Sequence, residues 1–312
     1  MPTLQEEALA SEIFYESITT PGMEKYANDA LQDFTRLKQR ETGVMRRILP
    51  PITVGNSDLV RQVDTALPTC VIDMEVDSPA AVSVPFGSWP SQWYIHPNRY
   101  RVTFHRILSP WFGADVDELR TNTMDIRQVL SDNAIKDMLA EEDGQFFGAV
   151  NNILGGSANT TQPFSGVAQW QTVGGSIGTR NSLNDALRIM TTTDGHLSPY
   201  TGVVNNSTIY ELQKIGRDEM GGNISEDIFR NGWSSTSFLG MPNFLVTNKR
   251  NIVPDDTMFL FGEPKYMGKF CLLEDTTMYV ESKAFMISYF AYCCLGSTIA
   301  NPYSLVRADF AA

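Results

Sequence analysis

The chain has 312 residues, 42% of them hydrophobic and 19% charged, with a net charge of −12. That length suits two domains or one core with large excursions, and the apolar content is ample for a real core. The acidic balance argues against nucleic-acid binding as the main activity, because phosphates call for Lys and Arg.

Cys70, Cys271, Cys293 and Cys294 show no metal-ligand spacing. Neighbouring Cys293 and Cys294 do not readily bridge each other, so four free, mostly buried thiols are expected. Residues 1–20 lack a basic start followed by an apolar run, so no secretory signal is expected. The longest nearly apolar run, 284–295, is short of the roughly 20 residues a membrane span needs and reads as a core strand.

In chain order, residues 1–35 are acidic: Glu6, Glu7, Glu12, Glu16, Glu24, Asp29 and Asp33 face Lys25 alone. Leu9, Ile13, Phe14 and Ile18 predict a short helix broken at Pro21, and Tyr26, Ala30 and Phe34 a second. The polarity then flips: Arg36, Lys38, Arg40, Arg46 and Arg47 face only Glu41 before Pro50-Pro51. An acidic arm and a basic hinge suit docking on complementary neighbours; two solvated helix faces give the same pattern.

Residues 52–110 are rich in β-formers, aromatics and turn residues. Ile72, Met74 and Val76 alternate with Asp73, Glu75 and Asp77; Tyr100, Val102 and Phe104 alternate with Arg99, Arg101, Thr103 and His105. This predicts a long antiparallel excursion with one acidic and one basic strand. Cross-strand ion pairs would each add about 0.2–1 kcal/mol. A two-stranded ribbon is marginal in water and needs a surface to lie on, with Trp89, Trp93, Tyr94 and Trp111 as candidate anchors.

The strongest pattern lies in residues 116–154. Ile126, Leu130, Ala134 and Met138 recur every four residues, and Ile135, Leu139, Phe146, Val150 and Leu154 continue an adjoining stripe. A helix over 123–154 would span roughly 48 Å, beyond the usual globular length. Gly155-Gly156 ends it, and Gly144 and Gly148 mark where it would bend or stop early. Glu141, Glu142 and Asp143 fan around the helix and read as a solvated face in preference to a metal cluster. Beyond it, 155–178 reads as polar loop with short strands, 182–190 as a helix, 201–204 as a strand, and 207–215 as a helix. Strands follow near 238–246, 258–261, 278–280, 285–295 and 303–310, with a turn at Asp255-Asp256. The sum is an α+β chain.

Chemistry is sparse. His96, His105 and His196 are the only histidines, and no HExxH, P-loop or GxGxxG occurs. Gly174-Gly175-Ser176-Ile177-Gly178 matches the G-x-S-x-G of a hydrolase nucleophile elbow. Its flanks read as polar loop and the following His196 is close in sequence, so a glycine loop is the preferred reading. No cofactor, metal or catalytic residue is assigned.

The order of parts resembles the major capsid proteins of tailed bacteriophages, the Hong Kong 97-like fold shared by encapsulin shells. Carrying the resemblance are the long helix with Ala140-Glu141-Glu142-Asp143, Phe146-Phe147 and Gly155-Gly156; Thr201 to Thr208 (TGVVNNST); Phe238-Leu239-Gly240-Met241-Pro242; MFLFG at 258–262; and Asn301-Pro302-Tyr303. The resemblance implies an N-terminal arm (1–51), an extended β-hairpin E-loop (52–112), and a peripheral domain with a spine helix (113–198). An axial domain (199–274) and C-terminal peripheral strands (275–312) follow. It implies a non-enzymatic protein that self-assembles through hexamers and pentamers into an icosahedral shell around double-stranded DNA. The shell would form in the bacterial host cytoplasm and become the virion capsid. Portal and scaffolding or decoration proteins are implied partners, with scaffolding supplied by a separate protein or absent; no membrane is involved. An encapsulin-like compartment holding protein cargo is the alternative. A serine hydrolase resting on Ser176 and a cell-surface binding module are rivals from other classes. Inter-subunit contacts are expected at Arg46, Arg47, Asp73, Glu75, Asp77, Trp89, Trp93, Arg99 and Arg101.

Overall fold

A computed structural model describes residues 43–60, 66–74, 82–92, 98–115, 126–155, 157–161, 167–212, 240–248, 252–283 and 285–311. A short helix α1 (Val44–Ile48) leads into strands β1 (Pro51–Thr53), β2 (Leu59–Val60), β3 (Thr69–Met74), β4 (Asn98–Thr103), β5 (His105–Leu108) and β6 (Phe112–Asp115). Helix α2 (Ile126–Leu154), strand β7 (Trp170–Gly174), helix α3 (Arg180–Thr191), strand β8 (Thr201–Asn205) and helix α4 (Asn206–Leu212) follow. The chain closes with β9 (Asn243–Thr247), β10 (Thr257–Phe261), helix α5 (Pro264–Met267), β11 (Gly268–Lys283), β12 (Met286–Ile299) and β13 (Leu305–Ala311).

Helix α2 runs 29 residues, about 43 Å at 1.5 Å per residue. Its predicted stripe is the buried one: Ala134, Ile135, Met138, Leu139, Phe146, Val150 and Leu154 are all inaccessible. The helix continues through Gly144 and Gly148, which lie on its exposed side. It stops at Gly155, whose φ of 84° suits a left-handed C-terminal turn that side chains resist. The helix does not end early at the two inner glycines, because packing of the opposite face outweighs their weak propensity.

Two five-stranded sheets meet this helix. In the first, β11 and β12 form one long antiparallel hairpin from Gly268↔Ile299 to Lys283↔Met286. β1 adds in parallel to β11, while β5 and β6 pair with successive stretches of β12. In the second, β10 lies between antiparallel β13 and β8, with β7 and β9 added in parallel outside them. All five residues of β8 and of β10 are buried, as central strands covered on both faces should be. The two-residue alternation divides β10: Phe259 and Phe261 join the core under α2, while Met258 and Leu260 join the core under α3. Phe147 meets Phe259 edge-on, ring centroids 5.1 Å apart, and Phe146 lies 5.8 Å from Phe261.

Strands β2, β3 and β4 make a third, small sheet. Its inner residues Cys70, Ile72 and Val102 pack with Val54, Cys271 and Cys294, so it lies on the outer face of the β11–β12 hairpin. Residues 274 and 275 lie in the middle of β11, where its register against β12 shifts between Leu272 and Thr277. The last strand, β13, pairs with β10 and β7, apart from the hairpin that precedes it in sequence.

Candidate functional site

Three places in the fold carry features beyond ordinary packing. The first is a buried charge cluster. In α1, Val44, Met45 and Ile48 are buried, and Arg46 between them is only 4% exposed. Its Nε donates to Glu142 Oε1 at 2.9 Å and Oε2 at 3.2 Å, and Nη2 donates to Oε2 at 3.0 Å. Nη1 lies 3.7 Å from Asp275 Oδ1, and the guanidinium sits 5.8 Å from the Phe270 ring centre. Burial alone would lower the pKa of this guanidinium, but the charge and hydrogen bonds of Glu142 outweigh it and raise it. Next door, Asp143 Oδ1 accepts the Met45 backbone N–H at 2.9 Å. It satisfies a first-turn donor of α1 for which the N-cap Gly43 has no side chain.

This corrects two expectations. Arg46 was expected beside Arg47 on an assembly hinge, and residues 141–143 on a solvated face. In the structure Arg46, Glu142 and Asp143 are buried inside the chain, and only Arg47 and Glu141 face outward. The reason is helical geometry. Glu142 follows Met138 by four residues and precedes Phe146 by four; Asp143 stands likewise between Leu139 and Phe147. Both acids occupy the apolar stripes, so both must go inside, where a buried carboxylate requires a cation or a donor. An acid interrupting an i, i+4 apolar series is the signal that would have found them.

The second place is the small sheet. β3 and β4 pair in the register Val71↔Arg101, Ile72↔Tyr100 and Asp73↔Arg99. Arg99 Nε stands 3.1 Å from Asp73 Oδ1, with both side chains more than half exposed. The acidic and basic strands do face each other, at a position worth only about 0.2–1 kcal/mol. Arg101 shares the same outer face opposite Val71. Glu75, Asp77 and Trp93 lie outside the described residues.

The third place is exposed apolar surface. In residues 82–92, Val82, Phe86 and Trp89 stand in the open, Trp89 at 93% exposure. Trp89 was expected as an anchor; within this chain it is not covered. Trp111, 64% exposed, leans on Phe290 with centroids 5.1 Å apart, and Phe285 is also exposed. Where large apolar side chains lie together in water, they mark a surface that meets something else.

Ser176 has a strand before it, β7, and a helix after it, α3, so its flanks are more ordered than the polar sequence predicts. The left-handed residue there is Gly175 (φ 92°), and Ser176 Oγ accepts the backbone N–H of Gly178 at 3.2 Å, a loop-closing role. The four cysteines are free and buried, as expected. Burial pushes the Cys293 thiol up to about 12, and the Cys271 thiol up to about 11. Among the described residues no cluster of His, Cys, Asp or Glu has the geometry of a metal site. No described helix is long and apolar enough to cross a membrane.

No protein-family model matches the chain, and no curated protein does. Solved structures do. The chain is similar to the capsid of an empty GTA particle at 14% identity and a TM-score of 0.54, covering 87% of this chain and 90% of that one. It is similar to the capsid of the cyanophage P-SCSP1u at 10% identity and a TM-score of 0.53, covering 86% and 88%. A virus-like particle from Pyrococcus furiosus matches at 13% identity and a TM-score of 0.50, covering 90% of this chain and 98% of that one. The likeness is one of fold, an α+β arrangement shared with capsid proteins over nearly the full length of each, and the resemblance read from the sequence is met by it.

Proposed function

We propose that this protein is a structural shell protein, a phage-type major capsid protein that assembles with copies of itself. The observation that carries the reading is the fold likeness to capsid proteins across some nine-tenths of both chains. Within it, α2 serves as the spine helix, and 52–112, with its small sheet and the open segment 82–92, serves as the E-loop. Residues 1–51 form the arm, 113–198 and 275–312 the peripheral parts, and 199–274 the axial part. Hexamers and pentamers close into an icosahedral shell around double-stranded DNA in the host cytoplasm, with portal, scaffolding and decoration proteins as partners. Exposed Phe86, Trp89 and Trp111 support this reading, because such side chains gain most when a neighbouring copy covers them. Arg47, Asp73, Arg99 and Arg101 supply the polar rim of such contacts, and Glu75, Asp77 and Trp93 are assigned to the same contacts.

A second reading is a compartment shell that holds protein cargo, and the likeness to the virus-like particle from Pyrococcus furiosus supports a shell under either reading. The test is size-exclusion chromatography with negative-stain microscopy of the purified chain, alone and with a co-expressed scaffold. Closed angular shells or rings are expected; a monomer under every condition would overturn both readings. Nuclease-protected DNA inside the shells selects the first reading, and co-purifying protein with little DNA the second.

A further inference from the structure

The small sheet and the hairpin beneath it meet at a glycine. An added Cβ at Gly296 of β12 would stand 2.7 Å from the Thr103 carbonyl oxygen and 2.8 Å from Val102 Cγ1, so β4 crosses β12 there in backbone contact. Stacked sheets ordinarily keep about 10 Å apart, too far for a disulfide, whose Cα atoms stand about 4.4–6.8 Å apart. The missing side chain closes that gap locally. Cys70 is in register with Val102, and Cys271 with Gly296, so each cysteine stands one strand over from the crossing. They stand on the same side of it. β3 has β2 as its other neighbour and β11 has β1, and Val54, directly after β1, shares one buried cluster with Leu59 of β2 and with Cys70 and Cys271. The order β2, β3, β4 therefore lies over β1, β11, β12, which sets Cys70 above Cys271.

Burial, and after it the neighbouring Cys70, push the Cys271 thiol up, in agreement with two thiols held close together. The other two cysteines are placed differently: Cys294 lies on β12 in register with Arg106 of β5, and Cys293 joins the core under α2. We propose that Cys70 and Cys271, both free thiols in this structure, are a latent disulfide site, which a low-molecular-weight disulfide closes to fasten the small sheet to the hairpin. Cys70 is the more accessible of the two, at 8% exposure against 2%. Its thiolate attacks one sulfur of oxidised glutathione and expels one glutathione thiolate; the Cys271 thiolate then attacks Cys70 Sγ and expels the second. The two cysteines give up two protons and two electrons, and the oxidised glutathione takes up both as two glutathione thiols. The assignment goes beyond the shell reading and does not depend on it.

The test incubates the folded full chain with oxidised glutathione at about pH 8.5, where thiolates are more abundant, then alkylates the remaining thiols and maps peptides without reduction. A peptide joining Cys70 to Cys271 is expected in the band of single-chain mass, two hydrogens lighter than the sum of its parts and released by dithiothreitol. Cys294→Ser should form it as the wild type does, and Cys271→Ser should leave Cys70 holding glutathione. A bond from Cys271 to Cys294, a bond between two chains, or alkylation of both Cys70 and Cys271 after oxidation would overturn the inference. A second measurement follows trypsin cleavage after Arg99 and Arg101 in β4. Oxidation should slow it about tenfold in the wild type and leave Cys271→Ser unchanged. Equal rates in oxidised and reduced wild type would overturn the fastening.

Discussion

Replacing Glu142 by Gln is the sharpest perturbation of this fold. The amide keeps the shape of the carboxylate but removes the charge that three hydrogen bonds from Arg46 address. Both side chains are 1% exposed, so water cannot take over the task. Asp275 offers only a 3.7 Å approach to Nη1, an atom that has no hydrogen-bond partner of its own. A buried guanidinium that loses its partner costs about 3–5 kcal/mol, a large fraction of the about 5–15 kcal/mol available to a domain. The assay is equilibrium urea unfolding of the unassembled chain. Glu142→Gln should lower the midpoint strongly. Arg46→Met combined with Glu142→Leu should return close to wild type, because apolar isosteres of a buried pair are often neutral. A loss under about 1 kcal/mol for Glu142→Gln, or a double mutant at least as unstable as Glu142→Gln, would refute this account of the buried pair.

Gly144→Ala and Gly148→Ala should each stabilise by about 0.5–1 kcal/mol, since an added Cβ meets nothing within 4 Å at either position; thermal melts of the single and double variants read this. Gly268→Ala should fail to give soluble folded protein or lose at least about 1–3 kcal/mol, since its Cβ would stand 2.1 Å from the Thr298 carbonyl oxygen. Stability should fall between about pH 9 and 12: the unfolded thiols ionise near 9, while burial holds Cys293 protonated to about 12 and Cys271 to about 11. Urea midpoints taken at pH 8 and pH 10.5 measure this loss, and Cys293→Ala should flatten it.

Periodicity made much of this legible. The stripe from Ala134 to Leu154 announces α2, and the alternation of Asp73 with Ile72 and of Arg99 with Tyr100 announces the small sheet, but not its register, which sets Asp73 opposite Arg99 and Val71 opposite Arg101. What escaped is non-local. Arg46 finds Glu142 some 96 positions away, and no local pattern tells which basic residue will satisfy an acid buried in a stripe. The β11–β12 hairpin hid its length because bulges between Leu272 and Thr277 break the two-residue alternation. β13 reads as a strand, but its place beside β10 follows from tertiary packing, with Phe310 and Val306 closing the core under α3. At the exposed places, composition marks Phe86 and Trp89 as aromatic; only the fold shows them uncovered.

The parallel pairing of β1 with β11 also bears on how the chain is made. Pro51 pairs in register with Phe270, so β1 waits for a partner strand that is synthesised much later. At about 5–20 residues per second, synthesis leaves that interval at roughly 10–40 s. The partner hairpin must itself close before β1 has an edge to join. α1, whose Arg46 needs Asp275 at hand as well as Glu142, is held to the same schedule. Residues 44–53 are therefore synthesised well before the hairpin they pack against, and their docking waits for it.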